Sequence, residues 1–156
     1  GAMKLSAYFD GACEPINPGG HAACGAVVKE GDEIRFQGSR YLGHGPAFSN
    51  NLAEYEGLVL ALEWLYNSGR AGDRVEVYGD SRLVIKQMQG AWGVKGGLYV
   101  SAYRRARQLA DDLLAHRLMR LTFHHILRTL NEEADALSTA PLTERGIHER
   151  VKRWRP

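Results

Sequence analysis

Lys4-Leu5-Ser6-Ala7-Tyr8-Phe9-Asp10 places Leu5, Ala7 and Phe9 on one side of the chain and Lys4, Ser6, Tyr8 and Asp10 on the other. Alternation with a period of two describes a β-strand with one buried face. The following Glu14-Pro15-Ile16-Asn17-Pro18-Gly19-Gly20 is dense in chain breakers and reads as a loop. Two more strands are expected over 22–30 and 33–42, joined by a hairpin turn at Gly31-Asp32. The chain therefore opens as an antiparallel meander. Then the period changes. Leu52, Tyr55, Val59, Leu62 and Tyr66 keep helical spacing, while Leu58, Ala61 and Leu65 make much of the other side apolar. Ser49, Asn50 and Asn51 are good N-cap types, and Gly69 is a stop. A helix this apolar is buried. A short strand over 74–79, a helix from Ser81 to about Gly90, a connector at 93–97, a helix over 98–116, a strand over 119–127 and a short helix over 130–138 complete the reading. Strands alternating with helices after a meander predict an α/β domain, a mixed sheet with helices packed on it.

At 156 residues the chain suits one domain with a sizeable core. Its 44% hydrophobic and 24% charged residues exclude disordered and fibrous classes. No apolar run approaches the roughly 18 residues that a membrane span needs. Gly1-Ala2-Met3 reads as an expression-tag remnant, and 4–142 as the domain. Cys13 and Cys24 make neither a disulfide framework nor a zinc set, so a cytoplasmic setting is the expectation. A monomer is expected. The formal net charge is only +2, but its distribution is uneven. Residues 143–156 hold Arg145, Arg150, Lys152, Arg153 and Arg155 against Glu144 and Glu149, a net +3 on an otherwise near-neutral chain. This tail reads either as a grip on a polyanion or, from Ile147, Val151 and Trp154, as a terminal helix packed on the body.

Four acids sit at strand ends or on helix turns. Asp10 closes the first strand, Glu54 lies near the start of the apolar helix, Asp80 follows Val75–Gly79, and Asp135 lies in the last short helix. Each has a plain structural reading: Asp10 as a turn residue, Glu54 capping with Asn51, Asp80 capping the helix at Ser81, and Asp135 on a solvated face. Together they make an all-oxygen set with no competing Cys or His cluster, which suits Mg²⁺. Ligand sites in α/β sheets collect outside the carboxyl ends of strands, where Asp10 and Asp80 would lie if their strands were parallel neighbours.

The motifs around these acids resemble one family, the type 1 ribonucleases H. Asp10-Gly11-Ala12-Cys13 with Asn17-Pro18-Gly19-Gly20 is similar to its opening. Ser49-Asn50-Asn51-Leu52-Ala53-Glu54-Tyr55, Tyr78-Gly79-Asp80-Ser81 and Asn131-Glu132-Glu133-Ala134-Asp135-Ala136-Leu137 are similar to its second, third and fourth blocks, in order. The resemblance implies a five-stranded mixed sheet in order 3-2-1-4-5, its first three strands antiparallel, with helices on both faces. It implies a nuclease that hydrolyses the RNA strand of an RNA–DNA hybrid, leaving 5′-phosphate and 3′-hydroxyl ends. It makes Asp10, Glu54, Asp80 and Asp135 the catalytic, metal-holding set for two Mg²⁺ ions, with Mn²⁺ as the substitute. It makes Asn17, Asn50 and Asn51 readers of the minor groove and puts Ser49 near a DNA phosphate. Double-stranded RNA is a second candidate partner. The stretch Gln89–Lys95 looks like that of archaeal-like and short bacterial members, without the basic protrusion of others.

One departure stands out. Many members carry a Gly-His loop before the fourth carboxylate, whereas here Phe123-His124-His125-Ile126 reads as strand. The mobile histidine is expected to be missing. Amide side chains suit recognition of a 2′-hydroxyl because both donate and accept. Lys86, Lys95, Arg104 and Arg105 are candidate phosphate contacts, and Trp92 is expected to be partly in the core, with stacking on a DNA sugar as the alternative.

Overall fold

A computed structural model describes residues 2–150. The meander is present as β1 (Lys4–Glu14), β2 (His21–Glu30) and β3 (Glu33–His44). The buried helix is α1 (Asn50–Ser68), followed by β4 (Arg74–Gly79), α2 (Arg82–Met88), α3 (Val100–Arg117), β5 (Arg120–His125) and α4 (Glu132–Glu144). A single 3-10 turn, Arg128–Leu130, precedes α4. The sheet runs β3-β2-β1-β4-β5. β1 to β3 pair antiparallel, while β4 is parallel to β1 and β5 to β4. This is the expected five-stranded order. Among the described residues, no helix is long and apolar enough to cross a membrane.

Odd positions of β1 face one layer. Leu5, Ala7 and Phe9 join Val75 and Val77 of β4 under α1 and α3, in one continuous core. Tyr55, Leu58, Leu62 and Leu65 fill it from α1, and Ala102, Ala106, Ala110 and Leu113 from α3. The small residues of α3 let that helix come close. On the opposite face, Ala12 and Ala23 pack with Leu142 of α4. Burying side chains of this kind contributes roughly 1.5–3 kcal/mol each.

Two boundaries differ most from the expected ones. β1 runs on past Asp10 to Glu14, because β2 pairs with it as far as Glu14–His21. Residues 9–14 are buried on both faces, so alternation no longer marks the strand. α4 extends well beyond residue 138 and passes through Pro141. Proline leaves the carbonyl four residues back without its helical donor. Here that carbonyl, on Leu137, accepts from Ser39 Oγ at 2.6 Å instead. Thr143 and Glu144 thus belong to α4, and Ile147 packs beside Leu142 without continuing the helix. Val151, Lys152, Arg153, Trp154 and Arg155 lie outside the described residues. Trp92 is 45% exposed rather than part of the core, since the glycine-flanked connector carries it away from the sheet.

Candidate active site

The cleft forms where the sheet splays. β1 and β4 pair in parallel only as far as Tyr8–Tyr78, after which β1 continues against β2 while β4 ends. Asp10 stands just past that last pair on β1, and Asp80 just past the end of β4. Both strand ends point the same way, which places the acids side by side. Glycine brings the helices to them. A Cβ on Gly11 would lie 2.2 Å from the backbone of Ala53 and Glu54, and one on Gly57 would lie 2.5 Å from the Asp10 carbonyl oxygen. Glycine at both positions lets α1 press against β1 and sets Glu54 beside Asp10. A Cβ on Gly25 would meet Leu137 at 2.5 Å, so α4 approaches β2 in the same way.

The result is a cleft of about 210 Å³ lined by all four predicted carboxylates. Asp10, Glu54 and Asp80 each offer an oxygen, and these lie within 4.8 Å of one another. Asp135 lines the same cleft from α4 but stands outside that tight group, with Arg128 Nη2 3.7 Å from its Oδ1. The capping readings of Glu54 and Asp80 do not hold. Ser49 caps α1, its Oγ accepting from Leu52 N at 3.2 Å, and Ser81 caps α2, its Oγ accepting from Val84 N at 3.3 Å.

The buried acids divide into two kinds. Both oxygens of Asp73 accept backbone N–H groups, from Met3 and Arg70. Glu14 accepts from the backbone and guanidinium of Arg150. These are structural carboxylates with donors in place. Asp10 accepts from Gly11 N at 2.9 Å and otherwise faces Glu54, whose Oε2 is buried with no hydrogen-bond partner among the described residues. Burial, opposed by hydrogen bonds from Glu54 and Gly11 and reinforced by the charges of Asp80 and Asp135, pushes the Asp10 carboxyl up to about 7. Burial above all, and then the Asp10 charge, raises Glu54 well above the usual carboxylate range. Near neutrality the bare pair therefore retains a proton. Clustered oxygens, an orphaned buried oxygen and mutual repulsion are the features a divalent cation relieves, and hard oxygen donors suit Mg²⁺ or Mn²⁺.

Asn17 and Asn50 also line the cleft, and Asn50 N donates to Asn17 Oδ1 at 2.8 Å. This ties the Asn17 loop to the start of α1. Asn51 follows in the first turn of α1, and Ser49 is engaged as its cap.

Sequence reasoning missed two residues. Asn131, buried at the N-terminus of α4, donates through Nδ2 to the Phe9 carbonyl at 2.9 Å and to Asp80 Oδ2 at 3.1 Å, locking α4, β1 and Asp80 together. Arg128 brings a guanidinium to the cleft wall. Its signal was a lone arginine seven residues before Asp135, in a segment otherwise read only for histidine. His125 is in β5, as expected, with Nε2 3.2 Å from the Asp80 carbonyl oxygen.

A family profile described as "Reverse transcriptase-like" matches residues 8–140. Ribonuclease HI of Halobacterium salinarum is 39% identical over 142 residues. The match covers 90% of this chain, which spans 65% of that protein's length. The crystal structure of RNase H1 from this halophilic archaeon superposes with a TM-score of 0.75 at 36% identity, covering 90% of this chain and 98% of that one. LC11-RNase H1, solved in complex with an RNA/DNA hybrid, gives a TM-score of 0.73 at 31% identity, covering 85% of this chain and 92% of its own. With the sheet order and the four carboxylates in one cleft, these similarities show that the chain belongs to the type 1 ribonuclease H family.

Proposed function

We propose that this protein is an endoribonuclease that hydrolyses the RNA strand of RNA–DNA hybrids. The observation that carries the reading is the convergence of Asp10, Glu54 and Asp80 on one point, with an unpartnered buried Glu54 oxygen in a fold whose other buried acids are matched by donors. Asp10, Glu54, Asp80 and Asp135 would hold two Mg²⁺ ions, for which Mn²⁺ can substitute. Such ions, when bound, would lower the pKa of an attacking water and offset charge on the departing 3′ oxygen. The products are then a 5′-phosphate and a 3′-hydroxyl.

The chain's own residues do the rest. Asn131 keeps the Asp80 carboxylate aimed into the cleft. Arg128, on the cleft wall beside Asp135, offers a guanidinium to an incoming phosphate. Asn17, Asn50 and Asn51 read the minor groove, where a 2′-hydroxyl both donates and accepts. The Asn17–Asn50 hydrogen bond ties the Asn17 loop to the start of α1. Ser49 sits where a DNA-strand phosphate would approach the first turn of α1. Lys86, Lys95, Arg104 and the basic tail add contacts to phosphates, which give affinity but little sequence choice. Double-stranded RNA presents the same 2′-hydroxyls and is a second substrate candidate. The protein acts as a cytoplasmic monomer.

The test is cleavage of end-labelled RNA–DNA hybrid, duplex RNA and duplex DNA, each with Mg²⁺, with Mn²⁺ and with chelator. Hybrid should be cut in the RNA strand only, with a metal. Cleavage of duplex DNA at a comparable rate would overturn the reading in favour of another nuclease of similar fold. Binding without cleavage under every condition would make the protein a hybrid-binding module.

A further inference from the structure

A second donor group lies away from the carboxylates, where β2 begins and β3 ends. His21 and His44 are direct partners in the antiparallel ladder. Their rings stack with centroids 4.0 Å apart and planes 11° from parallel. His21 Nδ1 lies 2.8 Å from the Tyr41 hydroxyl. Tyr41 is itself fixed from its other side: the Arg145 guanidinium carbon sits 3.7 Å from its ring centroid, and Arg145 Nη1 donates to the Pro141 carbonyl at 3.0 Å.

We propose that His21 and His44 form a two-imidazole site for a divalent ion of the late first transition row, such as Zn²⁺ or Ni²⁺. Directly opposite places on adjacent strands put the two side chains within reach of one ion. Tetrahedral coordination at about 2.0–2.1 Å needs nitrogens roughly 3.3 Å apart with both lone pairs aimed at the ion, so each ring must turn out of the stack, which the exposure of His44 allows. Ligating histidines commonly donate their other N–H to a neighbouring oxygen, which fixes the ring and its tautomer. Tyr41 offers that oxygen to His21 Nδ1, leaving Nε2 with its lone pair free to bind. Desolvation, with the charges of His44 and Arg145, lowers the His21 pKa and favours the neutral, ligating form.

The donor set also chooses the ion. Two neutral nitrogens offer little to hard Mg²⁺ and Ca²⁺, which want anionic oxygens, and favour ions that bind imidazole strongly. The site is not remote from the cleft in sequence register. His21 pairs with Glu14, which lines the cleft and is clasped by Arg150. An ion on His21 and His44 would pin the ends of β2 and β3 next to the Asn17 loop. The inference stands whether or not hybrid hydrolysis is the activity, because it uses none of the cleft carboxylates.

Titrating Ni²⁺ into the protein in excess Mg²⁺, and following the imidazole resonances, tests this. The paramagnetic ion should broaden the ring signals of His21 and His44 first and together, before those of His116, His124, His125 and His148. His44 is exposed, so His44→Ala should fold with an unchanged melt and bind Ni²⁺ at least about tenfold more weakly. His21→Ala should do the same. Even broadening across all histidines, broadening of only one of the two rings, or wild-type affinity in both variants would overturn the site.

Discussion

Asp10→Asn should make the metal-free protein more stable at neutral pH while abolishing cleavage. The substitution keeps the shape. Its Oδ1 can still accept from Gly11 N, and its amide can donate to Glu54 in place of the retained proton. What it removes is an ionisable group in an unfavourable place. Asp10 is raised from an ordinary 3.8 to about 7 in the fold. A carboxyl whose folded pKa is raised leaves the fold unpenalised below the unfolded value and penalises it progressively as pH climbs through the folded value. At 1.36 kcal/mol per pH unit, this shift amounts to about 4 kcal/mol above pH 7, as an upper bound because Asp10 and Glu54 titrate together. Denaturant melts with chelator across pH 4 to 8 should therefore show wild type and Asp10→Asn converging at pH 4. They should separate by about 2–4 kcal/mol at pH 8, with the variant the more stable. Parallel curves, or a variant that is less stable at pH 8, would refute the reasoning and leave Asp10 an ordinary, well-solvated carboxylate.

Asp80→Asn should remove cleavage while leaving hybrid binding largely intact, and a variant keeping more than about a tenth of the wild-type rate would refute the assignment of Asp80 to the cation site. Asn51→Ala should weaken discrimination between hybrid and duplex DNA in competition binding with little change in the melt, because Ser49 and not Asn51 caps α1. Gly57→Ala has a diagnostic sign. In an open helix interior it would stabilise by up to about 1 kcal/mol, but here its Cβ meets the Asp10 carbonyl at 2.5 Å, so the melt should fall by roughly 1–3 kcal/mol and cleavage should fall with it as Glu54 is displaced.

The strand order was legible because its determinants are local. Alternation in residues 4–10, the Gly31-Asp32 turn and the period change after Ser49 each act over a few residues, and the structure has all three. The four carboxylates were found by their motifs, and the capping alternatives for Glu54 and Asp80 could be settled only by seeing that the adjacent serines do the capping. Burial was harder to read. Nothing in Phe9–Glu14 distinguishes a strand covered on both faces from a strand end, so β1 seemed to stop at Asp10. The last helix was expected to stop at 138, and the Ser39 hydroxyl that satisfies the Leu137 carbonyl and lets α4 pass Pro141 comes from 98 residues away. Asn131 and Arg128 were missed for the same reason: their partners, Phe9, Asp80 and Asp135, become neighbours only when β1, β4 and α4 meet.

The four acids are not equivalent, and the difference predicts how the site takes up a cation. Asp10 and Glu54 are buried and retain a proton, whereas Asp80 and Asp135 are half-buried and already tethered, one by Asn131 and the other by Arg128. A cation entering the cleft must displace that proton from the buried pair. Its apparent affinity should then fall as pH drops below about 7, by about tenfold per pH unit for one displaced proton. Above that value the dependence should ease as Asp10 ionises. Calorimetric titration of Mg²⁺ or Mn²⁺ at pH 6, 7, 8 and 9, in buffers of differing ionisation heat, measures both the affinity and the proton released. More protons should leave at pH 6 than at pH 9. The Asp10→Asn variant, with its amide in place of the ionisable group, should bind more weakly at pH 8 and lose most of the pH dependence. A flat affinity in the wild-type protein would mean that the buried pair is already ionised, and that Asp80 and Asp135, rather than burial at Asp10 and Glu54, govern entry of the ion.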